Sequence, residues 1–158
     1  MITPKIESLA PKKFVGKRLI MTMAQNRTGE LWQSFMKDRA SIKNAIESDR
    51  YSLQFYPSDF FMKFDPMLEF EKWALVEVKD FHSIPEGMES LEIEGGLYAV
   101  FDYVGDSRDT SIFEYIFSTW LPSSGYKLDN RAHFEVLGEK YKNNDPSSQE
   151  EIWVPIKK

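Results

Sequence analysis

An internal repetition at about 80 residues limits this chain more than any other feature. Glu71-Lys72-Trp73-Ala74-Leu75-Val76 lies against Glu151-Ile152-Trp153-Val154-Pro155-Ile156, with the two tryptophans in register. Gly16-Lys17-Arg18-Leu19-Ile20-Met21 lies against Gly96-Leu97-Tyr98-Ala99-Val100-Phe101 at the same offset, and Leu31-Trp32 with Phe35-Met36 lies against Ile112-Phe113 with Ile116-Phe117 at an offset of 81. Three blocks in one order with one period mark a duplicated supersecondary unit. In 158 residues two such units leave no room for a third, so residues 1–158 are expected to form one domain of two halves, about 1–82 and about 88–158.

Each unit reads as strand, helix, strand, strand. In the second half, Leu97 to Val104 is β-branched and aromatic, and Ser111 with Glu114 three residues on forms a capping box for a helix. Ile112, Phe113, Ile116, Phe117, Trp120 and Leu121 recur at helical spacing until Pro122 and Gly125 stop the run. His133 to Leu137 and Glu151 to Ile156 are the closing strands, separated by the turn-rich Asn143-Asn144-Asp145-Pro146-Ser147-Ser148. In the first half the strand is Phe14 to Met23, a helix starts near Thr28, and Tyr51 to Tyr56 and Phe70 to Asp80 follow as strands. Ser41, Ile42 and Ile46 extend that helix or begin a second short one. The connection between the last two strands carries Phe60, Phe61, Met62, Phe64 and Met67, a run of apolar groups suited to packing on the core or to a lid over a ligand cleft.

The residue types exclude much chemistry. Cysteine is absent and histidine occurs only as His82 and His133, which removes disulfide scaffolds, thiol nucleophiles and His- or Cys-based metal cages; no cofactor and no metal are expected. A net charge of −5 without a basic run gives no footprint for nucleic acid or an anionic membrane. No secretion-type leader or 18-residue apolar run occurs, so a cytoplasmic protein is expected. No Gly-x-Ser-x-Gly elbow, Gly-x-Gly-x-x-Gly loop or phosphate loop is present. The surplus lies in the aromatics: 12 Phe, 7 Tyr and 4 Trp, 15% of the chain, enough to fill a core or line a pocket for a flat organic ligand.

The second half, with Gly95-Gly96-Leu97-Tyr98-Ala99-Val100, the helix, Ser124-Gly125-Tyr126, His133-Phe134-Glu135-Val136, Asn143-Asn144-Asp145-Pro146 and Ile152 to Ile156 in that order, resembles the GyrI-like small-molecule-binding domain. This is the effector-binding module of AraC-type and related multidrug-sensing regulators, and the likeness covers nearly the whole chain. It implies an α+β fold of duplicated strand-helix-strand-strand units related by a pseudo-two-fold axis. The expected antiparallel sheet has helices on one side and a ligand cleft on the other, with the Glu of the Phe-Glu pair, here Glu135, recognising cationic aromatic ligands.

The residues support Glu135 independently. If Phe134 and Val136 point into a helix-covered core, a period of two puts Glu135 on the opposite face with His133 and Leu137, and its repeat mate at offset 80 is Phe55. A carboxylate in an aromatic cleft is relieved by a cation whose flat body stacks on the walls. Tyr98, Phe55, Tyr56, Trp73 and Trp153 are the expected ligand-binding aromatics beside Glu135, whereas Trp32 and Trp120 belong to the core. His133 is placed to pair with Glu135 or to serve a structural role.

The expected function is a stand-alone effector-binding or sequestering protein for amphipathic, cationic aromatic molecules. No DNA-binding domain remains in the chain, so transcription regulation would need a regulator protein in trans. Two alternatives belong to other classes. Hydrolysis of reactive electrophiles, which the resemblance allows, would use Glu135 with Tyr98 or another cleft tyrosine and is less favoured than binding alone; inhibition of a protein target, as by the gyrase inhibitor that names the family, would need stronger acidic mimicry than −5 supplies.

Overall fold

A computed structural model describes residues 2–62 and 65–158; Phe64 of the expected aromatic cover lies outside them. The strand-forming runs become β1 (Lys5–Leu9), β2 (Lys12–Thr22), β3 (Arg50–Phe55), β4 (Glu69–Glu77), β5 (Glu89–Ile93), β6 (Gly96–Val104), β7 (Lys127–Leu128), β8 (His133–Leu137) and β9 (Gln149–Lys157). The helices are α1 (Thr28–Asp38) and α2 (Ser111–Tyr115), which continues through a π-helical segment, Ile116–Trp120, into the final turn α3 (Leu121–Ser123). The strands pair antiparallel in the order β1-β6-β9-β8-β3-β4-β2-β5, and β7 pairs with the end of β9.

The α+β class, the duplication and the antiparallel sheet with both helices on one side agree with the sequence reading. The unit itself is larger than expected: it is strand, strand, helix, strand, strand, because β1 and β5 precede the strands that the periodicity marked, and the second half adds the two-residue β7 after its helix. Their charged, half-apolar sequences, Lys-Ile-Glu-Ser-Leu and Glu-Ser-Leu-Glu-Ile, are suited to sheet edges, where charge discourages further pairing. Each first strand joins the other half's sheet: β1 pairs with β6 and β5 pairs with β2. Two smaller expectations are corrected. Asp109, not Ser111, takes the exposed N–H at the start of α2, at 2.9 Å, and the chain after α1 makes only a 3₁₀ turn at Arg39–Ser41 before Ile42 turns extended.

Cross-strand partners refine the repeat. Trp73 faces Arg18 and Leu53, whereas Trp153 faces Val100 and Phe134. The offset therefore drifts from 82 (Arg18 with Val100) through 81 (Leu53 with Phe134) to 80 (Trp73 with Trp153). Gly16 is thus equivalent to Tyr98 rather than Gly96, and the repeat mate of Glu135 is Gln54 rather than Phe55. The axis passes through the Leu53–Phe134 pair at the centre of the sheet.

Only Ala10-Pro11 separates β1 from β2, and only Glu94-Gly95 separates β5 from β6, yet each connector joins strands at opposite ends of the sheet. Three peptide steps reach at most about 10 Å. The sheet must therefore curl until its ends meet. The inner face so enclosed holds Phe14, Tyr51, Leu53, Trp73, Leu75, Ile93, Tyr98, Val100, Ala132 and Phe134, all buried. On the outer face, α1 seats Leu31 and Phe35 on Val15, Ala74 and Val76, and α2 with its π segment seats Ile112 and Ile116 on Ala99, Phe101, Ile152 and Val154.

One end of the closure is held by Arg131. Its guanidinium donates to the carbonyls of Gly95 (2.8 Å), Leu97 (2.6 Å) and Ile156 (3.1 Å), pairs with Asp129 at 2.6 Å and lies 4.7 Å from the centre of the Tyr98 ring. Gly95 turns the β5–β6 connector at φ +80°, and a Cβ there would stand 2.2 Å from the Leu9 carbonyl oxygen. Gly95→Ala is therefore expected to lower the unfolding free energy by about 1–3 kcal/mol or more, read from urea denaturation; an unchanged midpoint would mean that the closure does not depend on this turn.

Candidate ligand-binding site

The two helices cover the two ends of the outer face and leave its centre, β3 and β8, to other groups. Side chains on that face alternate from each strand: Ser52 and Gln54 with Tyr56 just beyond the end of β3, and His133 and Glu135 from β8, flanked by Lys72 of β4 and Glu150 of β9. Ser52 stands directly opposite Glu135, and Gln54 opposite both His133 and Lys72. A polar strip thus runs along the floor of a cleft between α1 and the α2 segment. Gln54 donates to the Ser52 hydroxyl at 3.1 Å, and both are buried.

Aromatic groups close one end of this strip. Tyr56 lies against Phe60 (4.6 Å between ring centres), Phe61 (5.1 Å), Phe70 (5.3 Å) and His133 (4.9 Å). Phe61 in turn stacks on Phe117 of the π segment at 4.6 Å. A connector of the first half therefore reaches the helix of the second across the cleft. Phe117 packs on the core from one side and supports this cover from the other. A small space of about 50 Å³ beside this cover is lined by Tyr56, Pro57, Ser58, Phe61, Leu128, Asp129, Asn130 and His133.

Burial sets the protonation states. His133 is pushed down to about 3 by burial and then by the charge of Arg131, so the imidazole is neutral and serves as a ring among rings; it makes no hydrogen bond to Glu135 among the described residues. Glu150 is held well above the ordinary carboxylate range, by burial first and then by the charge of Glu135 and a hydrogen bond shared with it. Burial lowers the Lys72 ammonium, which Glu135 and Glu150 partly restore. Tyr56 is raised by burial and by Glu135.

The expected site residues divide between two faces. Tyr56 alone shares the face of Glu135. Tyr98, Trp73, Phe55 and Trp153 point into the curled sheet: Tyr98 is 1% exposed and donates its hydroxyl to the Ala132 carbonyl at 2.7 Å, and Trp73 is 4% exposed. Tyr98 therefore cannot assist Glu135 in hydrolysis, since the sheet stands between them. The alternation by two was right, but Phe134 and Val136 occupy the inner face while Glu135 shares its side with the helices. Ser52, Gln54, Lys72, Glu150 and Phe117 are functional candidates that sequence reasoning left out, whereas Phe60 and Phe61 come from the run read as core packing or a lid. Parity from Tyr56 back to Gln54 and Ser52 was the available signal.

A second, open groove of about 580 Å³ lies where β8 and β9 diverge, lined by Asp49, Asp102, Glu139, Glu150 and Glu151 with Lys140. Among the described residues no group of His, Asp and Glu is arranged to hold a metal ion, and no helix is long and apolar enough to cross a membrane.

Residues 5–156 match the Cass2 family, described as integron-associated effector binding protein. The chain belongs to that family. It carries the GyrI-like effector-binding fold, a small-molecule-binding module. It is 25% identical over 145 residues to the transcriptional regulator BrlR of Pseudomonas aeruginosa, covering 90% of this chain and 51% of that protein; the chain thus spans about half the length of this curated relative. Among solved structures, the integron cassette protein VCH_CASS2 of Vibrio cholerae superposes with a TM-score of 0.72 at 17% identity, covering 98% and 96% of the two chains. SAV2435, solved with tetraphenylphosphonium bound, has a TM-score of 0.72 at 16% identity and covers 98% and 93%.

A carboxyl whose folded pKa is raised stabilises the fold fully below its unfolded pKa and progressively less as pH climbs through the folded one, because the native state holds the proton longer. For Glu150 that window runs from about 4.3 in the unfolded chain to about 9 in the folded protein. Urea midpoints between pH 5 and 9 should fall more steeply for the parent protein than for Glu150→Gln; parallel curves would sink this assignment.

Proposed function

We propose that the protein binds bulky aromatic cations between its two helices, with Glu135 as the counter-charge and Tyr56, Phe60, Phe61 and Phe117 as the stacking walls. The supporting observation is the placement of Glu135. It is half-buried on the cleft floor, and among the described residues no Lys or Arg nitrogen comes within 4.0 Å of its carboxylate. A carboxylate so placed gains from a cation with diffuse charge, whose apolar body the rings accept at little desolvation cost. Tetraphenylphosphonium, the ligand of SAV2435, is such a cation.

Binding requires the cover to move, because Phe61 bridges the strip between Tyr56 and Phe117, with ring centres 5.1 Å and 4.6 Å away. Phe61, 39% exposed, sits on the connector that would swing aside. The likeness to part of a transcriptional regulator supports a sensing role, in which the occupied protein acts on a regulator in trans or sequesters the compound.

Calorimetric titration with tetraphenylphosphonium chloride tests this reading. Glu135→Gln should weaken binding at least about tenfold, because the ligand charge then loses its partner. Tryptophan emission should change little, since Trp73 and Trp153 belong to the inner core and Trp32 and Trp120 pack beneath the helices. Equal affinity in the parent and Glu135→Gln would remove the carboxylate from recognition.

A further inference from the structure

The two halves stop being copies on the floor of the cleft. Under the helices, repeat-equivalent positions stay alike: Leu31 with Ile112, Phe35 with Ile116 and Ala74 with Val154 are all buried and apolar. Between the helices they diverge in charge. Gln54 becomes Glu135 at offset 81, Phe70 becomes Glu150 at offset 80, and Lys72 becomes Ile152 at offset 80. The first half supplies one ammonium and the second supplies two carboxyls, on the same sheet face and on opposite sides of the pseudo-axis.

These charges do not neutralise one another by contact. Among the described residues the close ion pairs all involve other groups, and Lys72 Nζ has no carboxylate oxygen within 4.0 Å. It also makes no side-chain hydrogen bond to a described residue, and its cross-strand neighbours are Leu19 and Gln54. A half-buried ammonium with no carboxylate oxygen within 4.0 Å, and a half-buried carboxylate whose close partner is another carboxyl, Glu150, both carry a desolvation cost that a ligand could offset. A simple cation offsets only one of them and brings a like charge towards Lys72, which works against it.

We propose that the cleft is bipolar and selects amphoteric aromatic molecules, setting their cationic group on Glu135 and Glu150 and a carboxylate at the other end on Lys72. The proposal rests on the reading of the cleft as a cation site and adds an anion subsite, with Lys72 as its specificity-determining residue. Gln54, between Lys72 and His133 in the same cross-strand row, lies beneath the middle of such a ligand and can donate to it or accept from it without charge.

Tetramethylrhodamine and its methyl ester separate the possibilities, because they share one aromatic cation and differ only in whether a carboxylate is free. Titrations of full-length protein into each dye, followed by fluorescence anisotropy, should give the free acid about tenfold tighter binding than the ester, the worth of one partly desolvated charge pair. Lys72→Met should cancel or invert that ratio while the ester still binds. Lys72→Arg should keep it, and Glu135→Gln should weaken both dyes. Circular dichroism checks that the variants are folded, and the acid-to-ester ratio of the parent protein needs no variant. If the parent holds the ester as tightly as the acid, or if Lys72→Met leaves the acid preference intact, the bipolar assignment is overturned while the cation site stands. Failure of the parent to bind either dye would overturn both.

Discussion

Two connectors of two residues each set the shape of this molecule. Because β1 and β5 cross into the opposite half and return after so short a link, a flat sheet is geometrically impossible, and closure decides what every other surface can do. The inner face becomes the main aromatic core, where Phe134 stacks on Trp153 at 5.2 Å and Tyr98 lies 5.3 Å from Phe134. The outer face is left to the helices. Two short helices cannot span a sheet of this width, so a strip along the pseudo-axis stays open, and that is where polar groups collect.

Duplication explains both the economy and the asymmetry of that strip. The Glu-x-Trp motif shows what stayed constant: Trp73 donates to Glu71 at 2.6 Å and Trp153 to Glu151 at 3.1 Å, one small polar clasp used twice at the margin of the inner core. Positions on the strip had no such duty. Ser52, Gln54, Glu135, Glu150 and Lys72 could diverge because the closed core beneath them already held the fold together, and a cleft on a symmetry axis becomes selective when its two sides cease to match.

Much of the fold was legible in the sequence, because long amphipathic runs report their period directly. The duplication and the positions of α1, β8 and β9 all came from spacing and motif. The edge strands did not: Lys5–Leu9 and Glu89–Ile93 are short and charged, and what defines them is a pairing with the far half of the chain, which no local pattern carries. The faces were assigned in reverse for a related reason. Alternation separates odd from even residues but does not say which set meets a helix, and here both sets are substantially buried, so Phe134 looked like a helix contact and Glu135 like its opposite. Phe61 and Phe117 meet only through tertiary folding, and the turn of π-helix that carries Phe117 has no signature in a run of Ile, Phe, Ser, Thr and Trp.

The exchange of β1 and β5 also bears on ancestry and assembly. Each half lacks the strand that would complete its own sheet and carries the one that completes its neighbour's. A single half, translated alone, could satisfy its open edge by trading first strands with a second copy, which is the architecture of a domain-swapped homodimer. The present chain has the form of such a dimer joined end to end by the segment between β4 and β5. Joining two such copies in one chain frees them from identity, so that the two sides of the central strip can differ where a symmetrical assembly would hold them the same.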